Sequence, residues 1–110
     1  MGWTVKVAPD IHTLYFQWQA LTKRPILYNV GVWVNETIEA KNPTPLAPPY
    51  VNISLSGTMP KRTGTFELNL PCTGLVNGEV DVIMNLNVTS PRPNQPPTVI
   101  YLKRKKICLK

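Results

Sequence analysis

The stretch Glu79-Val80-Asp81-Val82-Ile83-Met84-Asn85-Leu86-Asn87-Val88-Thr89 decides the fold. Val80, Val82, Met84, Leu86 and Val88 fall on one side of an extended chain, and Asp81, Asn85, Asn87 and Thr89 on the other. Side chains of a strand alternate faces with period two, so this segment is a long strand with one buried face. The same phase recurs on both sides of it. Phe66, Leu68 and Leu70 alternate, as do Tyr28, Val30, Val32 and Val34 against Asn29, Gly31, Trp33 and Asn35. Leu14, Phe16 and Trp18 oppose Tyr15, Gln17 and Gln19. Residues 51–56 put Val51, Ile53 and Leu55 on one face, and residues 3–7 and 98–103 complete the set as first and last strands.

No segment shows a sustained 3.6-residue period, so little helix is expected. The Pro-rich stretches 43–49 and 91–97 read as surface loops, because proline cannot donate to a strand ladder. Short strands joined by turns and long loops predict an all-β, antiparallel, Ig-like β-sandwich of about seven to nine strands. At 110 residues and 43% apolar content, residues 1–110 are expected to form a single domain with one core.

The chain has two cysteines, which allow one intramolecular bridge, Cys72–Cys108; the alternative is a pair of free buried thiols in a cytosolic protein. Three N-glycosylation sequons bear on the choice: Asn35-Glu36-Thr37, Asn52-Ile53-Ser54 and Asn87-Val88-Thr89, with Asn42-Pro43-Thr44 spoiled by its proline. Asn35, Asn52 and Asn87 each fall on the face opposite the aliphatic residues of their own strand, where a glycan would find solvent. Bridge and sequons together predict an extracellular protein. No apolar run of membrane-spanning length exists, and Met1-Gly2-Trp3-Thr4 lacks the features of a signal peptide, so the chain is expected to be part of something larger.

Catalysis is not expected. The single histidine, His12, follows the turn Pro9-Asp10-Ile11 with no nucleophile beside it, and the six carboxylates are scattered. Metal-ligand spacings and phosphate-binding glycine loops are absent, so no metal and no cofactor is implied. The net charge of +6 includes the run Lys103-Arg104-Lys105-Lys106. It reads as the solvated end of a strand, as a contact for sulfated glycans or anionic lipid headgroups, or as a processing site. Nucleic acid is excluded by the compartment. Trp33, on the outward face of its strand, is the candidate partner contact, unless a loop or another segment covers it. Leu14, Phe16, Trp18, Met84 and Leu86 form either core or the lining of an apolar cavity.

These residues carry a resemblance over nearly the whole chain. Phe16-Gln17-Trp18-Gln19, Val51-Asn52-Ile53-Ser54 with Gly57 and Pro60, Cys72-Thr73-Gly74, Glu79-Val80-Asp81-Val82 and Lys103-Arg104-Lys105-Lys106-Ile107-Cys108-Leu109 resemble the WIF domain of the RYK/Derailed receptor group, a module found also in Wnt inhibitory factor. Within the group the chain is most similar to the insect Derailed-type receptors. The resemblance implies a β-sandwich, a disulfide between Cys72 and Cys108, and Wnt proteins as partners. It implies a parent receptor with one transmembrane helix, an intracellular kinase-like domain of impaired activity, and this domain on the extracellular side of the plasma membrane. In that group the stretch matching Lys103–Lys106 is a processing-site candidate; here it ends in lysine, a poorer match to furin-type proteases.

Two departures stand out: the upstream part of the usual domain is expected to be missing, and the loop at 40–50 is unusually rich in proline. Three functions are compatible with this reading: a non-catalytic Wnt-binding ectodomain, a heparan-sulfate or matrix-binding adhesion module acting through Lys103, Arg104, Lys105 and Lys106, and a β-sandwich that holds a lipid or acyl chain.

Overall fold

A computed structural model describes residues 5–35, 44–89 and 96–110. Residues 3 and 4 of the first expected strand, residue 43, residues 91–95 and the fourth, spoiled sequon at Asn42 lie outside the described residues.

Eight strands form two sheets, with no helix among the described residues. They are β1 (Val5–Val7), β2 (Thr13–Trp18), β3 (Leu27–Asn35), β4 (Tyr50–Val51), β5 (Ser56–Thr58), β6 (Gly64–Asn69), β7 (Gly78–Val88) and β8 (Thr98–Cys108). The larger sheet has the order β1-β8-β7-β3-β5 and the smaller β2-β6-β4. All pairs are antiparallel except β1, which lies parallel to β8. The all-β sandwich is therefore as expected, with one parallel edge that alternation cannot reveal.

The alternating aliphatic residues become the core. Val80, Val82, Met84 and Leu86 of β7 face Phe66 and Leu68 of β6, and all are buried. One cluster gathers Val7, Leu46, Leu68, Leu70, Val80, Val82 and Cys108; the other gathers Tyr28, Val30, Phe66, Met84 and Leu86. Aromatic rings fill the second. Phe16 stacks on Phe66 with centroids 5.1 Å apart, and Trp18 meets Tyr28 at 4.7 Å and Phe66 at 4.9 Å. Such contacts contribute about 0.5–1.5 kcal/mol each beyond the area they bury. Leu14, Phe16, Trp18, Met84 and Leu86 thus serve as core.

Two strand assignments are corrected. The alternation at 51–56 is not one strand. Tyr50–Val51 pairs with β6 in the small sheet, the chain bends at Asn52–Ile53, and Ser56–Thr58 pairs with β3 in the large sheet. Val51 and Ile53 keep their inward direction, but Leu55 is 63% exposed once the backbone has changed sheets. At this crossing the Asn52 side chain stands in for a ladder partner: its Oδ1 accepts from the Glu67 N–H at 2.7 Å. The Ser54 carbonyl accepts from the Tyr28 hydroxyl at 2.8 Å. Gly57 lies against that tyrosine ring, where an added Cβ would come within 3.4 Å.

The last strand also runs further than 98–103. It continues to Cys108, carrying the whole basic run inside a strand paired on both sides, with β7 throughout and with β1 at Arg104–Lys106. The Pro-rich segment, too, is more than a surface loop: Leu46 and Pro49 are buried, and Leu46 forms a β-bridge with Cys72.

Candidate recognition surface

The disulfide predicted between Cys72 and Cys108 is present, with Cα atoms 5.5 Å apart and the Cys108 side chain fully buried. It ties the segment after β6 to the end of β8. That segment in turn holds residues 44–47. Ala47 N–H donates to the Pro71 carbonyl and Thr73 N–H to the Pro45 carbonyl, at 2.8 and 2.9 Å. The Thr73 hydroxyl donates to the Thr44 carbonyl at 2.6 Å, and also accepts from the Leu75 N–H at 3.3 Å. Gly74 turns the chain at φ 74°, a left-handed conformation that a side chain would disfavour. The three residues of Cys72-Thr73-Gly74 therefore act separately, as bridge, clamp and turn. Gly78 completes the annex, since a Cβ there would stand 2.6 Å from the Pro45 ring.

The annex forms one wall of a half-open cleft of about 350 Å³. Thr44, Leu46, Pro48 and Pro49 line that wall, and Val32, Trp33 and Val34 of β3 line the other. Trp33 is 44% exposed and lies over Gly31, where an added Cβ would come within 3.4 Å of the indole. Directly opposite Trp33 in the ladder is Ile83, on the outward face of β7 yet only 5% exposed. Alternation alone assigned this face to solvent; the indole and neighbouring side chains make it partly apolar. Among the described residues, β5 flanks β3 only at Leu27–Asn29, so no described strand pairs with the β3 edge beside the cleft. A rigid aromatic beside a concave apolar wall and a strand edge unpaired among the described residues can recognise a protein surface.

The basic run does not form one surface. Strand alternation sends Lys103 and Lys105 outward, where both approach Asp81, at 4.0 and 3.8 Å. Lys6, across the sheet on β1, pairs with Glu79 at 3.5 Å. Arg104 points inward, and its guanidinium donates back to the Lys103 carbonyl at 2.9 Å. Lys106 is fully buried. Its ammonium donates to the carbonyls of Ala8 and Pro9 at 2.7 and 3.3 Å, pinning the turn after β1 to the sheet. Burial holds this ammonium below the ordinary lysine value, with nearby Asp10 opposing the shift.

Of the sequon asparagines, Asn35 and Asn52 are exposed and Asn87 is half-buried. Asn87 Nδ2 donates to Asn29 Oδ1 across the ladder at 3.0 Å.

Residues 1–108 match the protein family described as WIF domain. The chain belongs to that family. It is 33% identical over 110 residues to the tyrosine-protein kinase Drl of Drosophila melanogaster and to the tyrosine-protein kinase RYK of Homo sapiens, covering all of this chain and 17% of each relative. It is 28% identical over 98 residues to human Wnt inhibitory factor 1, covering 86% of this chain and 24% of that protein. The chain thus spans less than a quarter of the length of the curated relatives it matches. A WIF domain is a non-catalytic module, and the kinase in two of these names describes full-length proteins. Within this family frame the segments that carry the resemblance have distinct structural roles: Phe16–Gln19, Val51–Pro60 and Cys72–Gly74 build, respectively, the aromatic core, the crossing between sheets and the disulfide-held annex.

Proposed function

We propose that this chain is a non-catalytic, extracellular Wnt-binding module of a RYK/Derailed-type single-pass receptor. The observation that carries the reading is the WIF match over residues 1–108, joined by similarity to a relative whose own name is Wnt inhibitory factor 1. The Cys72–Cys108 disulfide supports an oxidising, extracellular setting. Trp33 and the cleft facing Pro48 and Pro49 are the contact surface of choice, because an exposed indole fixed over a glycine offers a large contact at little entropic cost. A lipid-carrier reading has less support, since the rings of Phe16, Trp18, Tyr28 and Phe66 pack against one another between the sheets.

The test is equilibrium binding of the oxidised, glycosylated chain to purified acylated Wnt, at physiological and at high salt. Saturable binding that survives salt is expected, with Trp33→Ala weakening it roughly tenfold or more, as interface aromatics commonly do. Absence of saturable binding by correctly folded chain would overturn the reading.

A further inference from the structure

A second basic cluster is dispersed in the sequence and assembled by the fold. Lys23-Arg24 lies in the connection from β2 to β3, and Lys61-Arg62 in the connection from β5 to β6. Six hydrogen bonds organise these connections, five of them joining the two. Ala20 N–H donates to the Pro60 carbonyl and Met59 N–H to the Ile26 carbonyl, each at 2.8 Å. Gln19 Nε2 donates to the Lys61 carbonyl at 3.0 Å, and the Thr63 hydroxyl donates to Gln19 Oε1 at 3.2 Å. The Lys61 ammonium donates to the Lys23 carbonyl at 3.1 Å, which leaves two of its three N–H groups for another acceptor. Within the first connection, the Thr22 hydroxyl donates to the Arg24 carbonyl at 2.9 Å. Four exposed cations therefore stand on a tied platform rather than on two loose loops.

Nothing described neutralises them. The ion pairs among the described residues involve Lys6, Lys103 and Lys105 only. Asp10, Glu79 and Asp81 lie at the other end of the sandwich, near the end of β3 and the start of β7. The nine residues of β3 separate the two ends by roughly 26 Å at strand rise, about three Debye lengths at physiological salt. Glu67, midway along β6, is the described carboxylate on neither end.

We propose that the junction of residues 19–26 with 59–63 is a binding site for sulfated, heparan-type glycan chains. Two arginines supply planar forks for sulfate oxygens and two lysines supply mobile point charges, the mixture that a chain of repeating anions requires. Anionic headgroups are the competing source of such charge. They are concentrated on the cytoplasmic leaflet, however, and the large apolar side chains exposed at the platform and its border are Leu21 at 85% and Leu27 at 54%, two positions where membrane docking uses an extended apolar face. The site is distinct from the Trp33 cleft, at the opposite end of β3, and its test contains no Wnt, so it stands or falls separately.

The test compares two double variants with equal changes in net charge, Lys61→Glu/Arg62→Glu and Lys103→Glu/Lys105→Glu, on the whole oxidised chain. Binding to immobilised heparin is titrated against salt, with a sulfonate cation exchanger as the bulk-charge reference. The unaltered chain is expected to elute from heparin at higher salt than from the exchanger. The 61/62 variant is expected to lose at least tenfold in affinity and to lower the slope of log affinity against log salt by about 2, close to one per cation as in nucleic-acid binding. The 103/105 variant is expected to lose less than threefold. Equal losses in the two variants, or equal elution from heparin and exchanger, would overturn the proposal. So would binding to phosphatidylserine vesicles that depends on residues 61 and 62 without any heparin preference. Melting curves check that the variants fold; if the glutamates destabilise the loop, Lys61→Ala/Arg62→Ala replaces them, with the same ordering expected.

Discussion

Two groups of four cations in this domain have opposite histories. Lys103–Lys106 is contiguous in sequence and is dismantled by the fold: two members go to the outer face beside Asp81, one folds back on its own backbone, and one is fully buried. Lys23, Arg24, Lys61 and Arg62 are dispersed in sequence and are assembled by the fold on one platform. The difference follows from where each group sits. A strand distributes consecutive residues to opposite faces, whereas connections at one end of a sandwich converge. A charge run within a strand is therefore a poor guide to a charged surface, and pairs of short basic turns are a better one.

The largest effect should come from removing what holds β8 in place. Replacing Cys72 and Cys108 together by alanine is expected to cost about 4 kcal/mol, the chain-entropy value for a loop of this size. It should also loosen the 44–47 annex and so weaken any ligand bound at the Trp33 cleft. Urea unfolding and cleft binding measured on the same variant would show both effects; an unchanged midpoint would mean that the bridge contributes nothing. Within the run itself the members should differ sharply. Lys106→Ala leaves the Ala8 and Pro9 carbonyls without their buried donor and opens a cavity, a loss of roughly 2–4 kcal/mol. Lys103→Ala and Lys105→Ala remove long, partly exposed ion pairs and should each cost less than about 1 kcal/mol. Equal effects across the three would show that the run behaves as a surface after all.

The same contrast explains how far the sequence could be read. Period-two alternation placed Val80, Val82, Met84, Leu86, Phe66 and Leu68 in the core, because the phase of a half-buried strand is written in its apolar positions. It failed where phase and path separate. Val51, Ile53 and Leu55 alternate without interruption, yet the backbone changes sheets between them, and a crossing leaves no mark on the period. It failed again at Lys106, since a lysine at an inward position reads as the end of a strand, not as a buried donor to carbonyls sequentially remote from it. The disulfide and Trp33 were legible as residues. The cleft was not, because its wall depends on the Leu46–Cys72 bridge, a long-range contact that no local pattern announces. The platform around Lys61 was hidden for the same reason; the cue available was a Lys-Arg pair in each of two turns.

The assembled group of cations should behave in the opposite way, contributing little to stability. Lys23→Ala, Arg24→Ala, Lys61→Ala and Arg62→Ala should each change stability by no more than roughly 0.5 kcal/mol, as exposed positions outside the core commonly do. Lys61 is expected to show the largest change of the four, since its ammonium closes a hydrogen bond on the Lys23 carbonyl. Chemical unfolding midpoints measured in parallel would settle the order. A loss above about 1 kcal/mol at Lys61, beyond the usual range for such surface sites, would make it a structural lysine like Lys106 rather than a presented one.

A last and subtler effect is the pH dependence that Lys106 confers. Burial lowers the Lys106 value in the folded chain below the ordinary 10.5, and Asp10 only partly opposes it. In the interval between the folded value and 10.5, the unfolded chain binds more protons at this residue than the folded one. Stability at that group therefore rises with pH across the interval, and below it the desolvation penalty is fully present. The two carbonyl acceptors, like Asp10, favour the charged form. Lys106→Met removes the titrating group, so the difference in unfolding free energy between the unaltered chain and this variant should move in favour of the unaltered chain as pH approaches 10.5. Parallel pH profiles for the unaltered chain and Lys106→Met would mean that the ammonium keeps a water shell in solution, and the fourth member of the run would then belong with the exposed lysines.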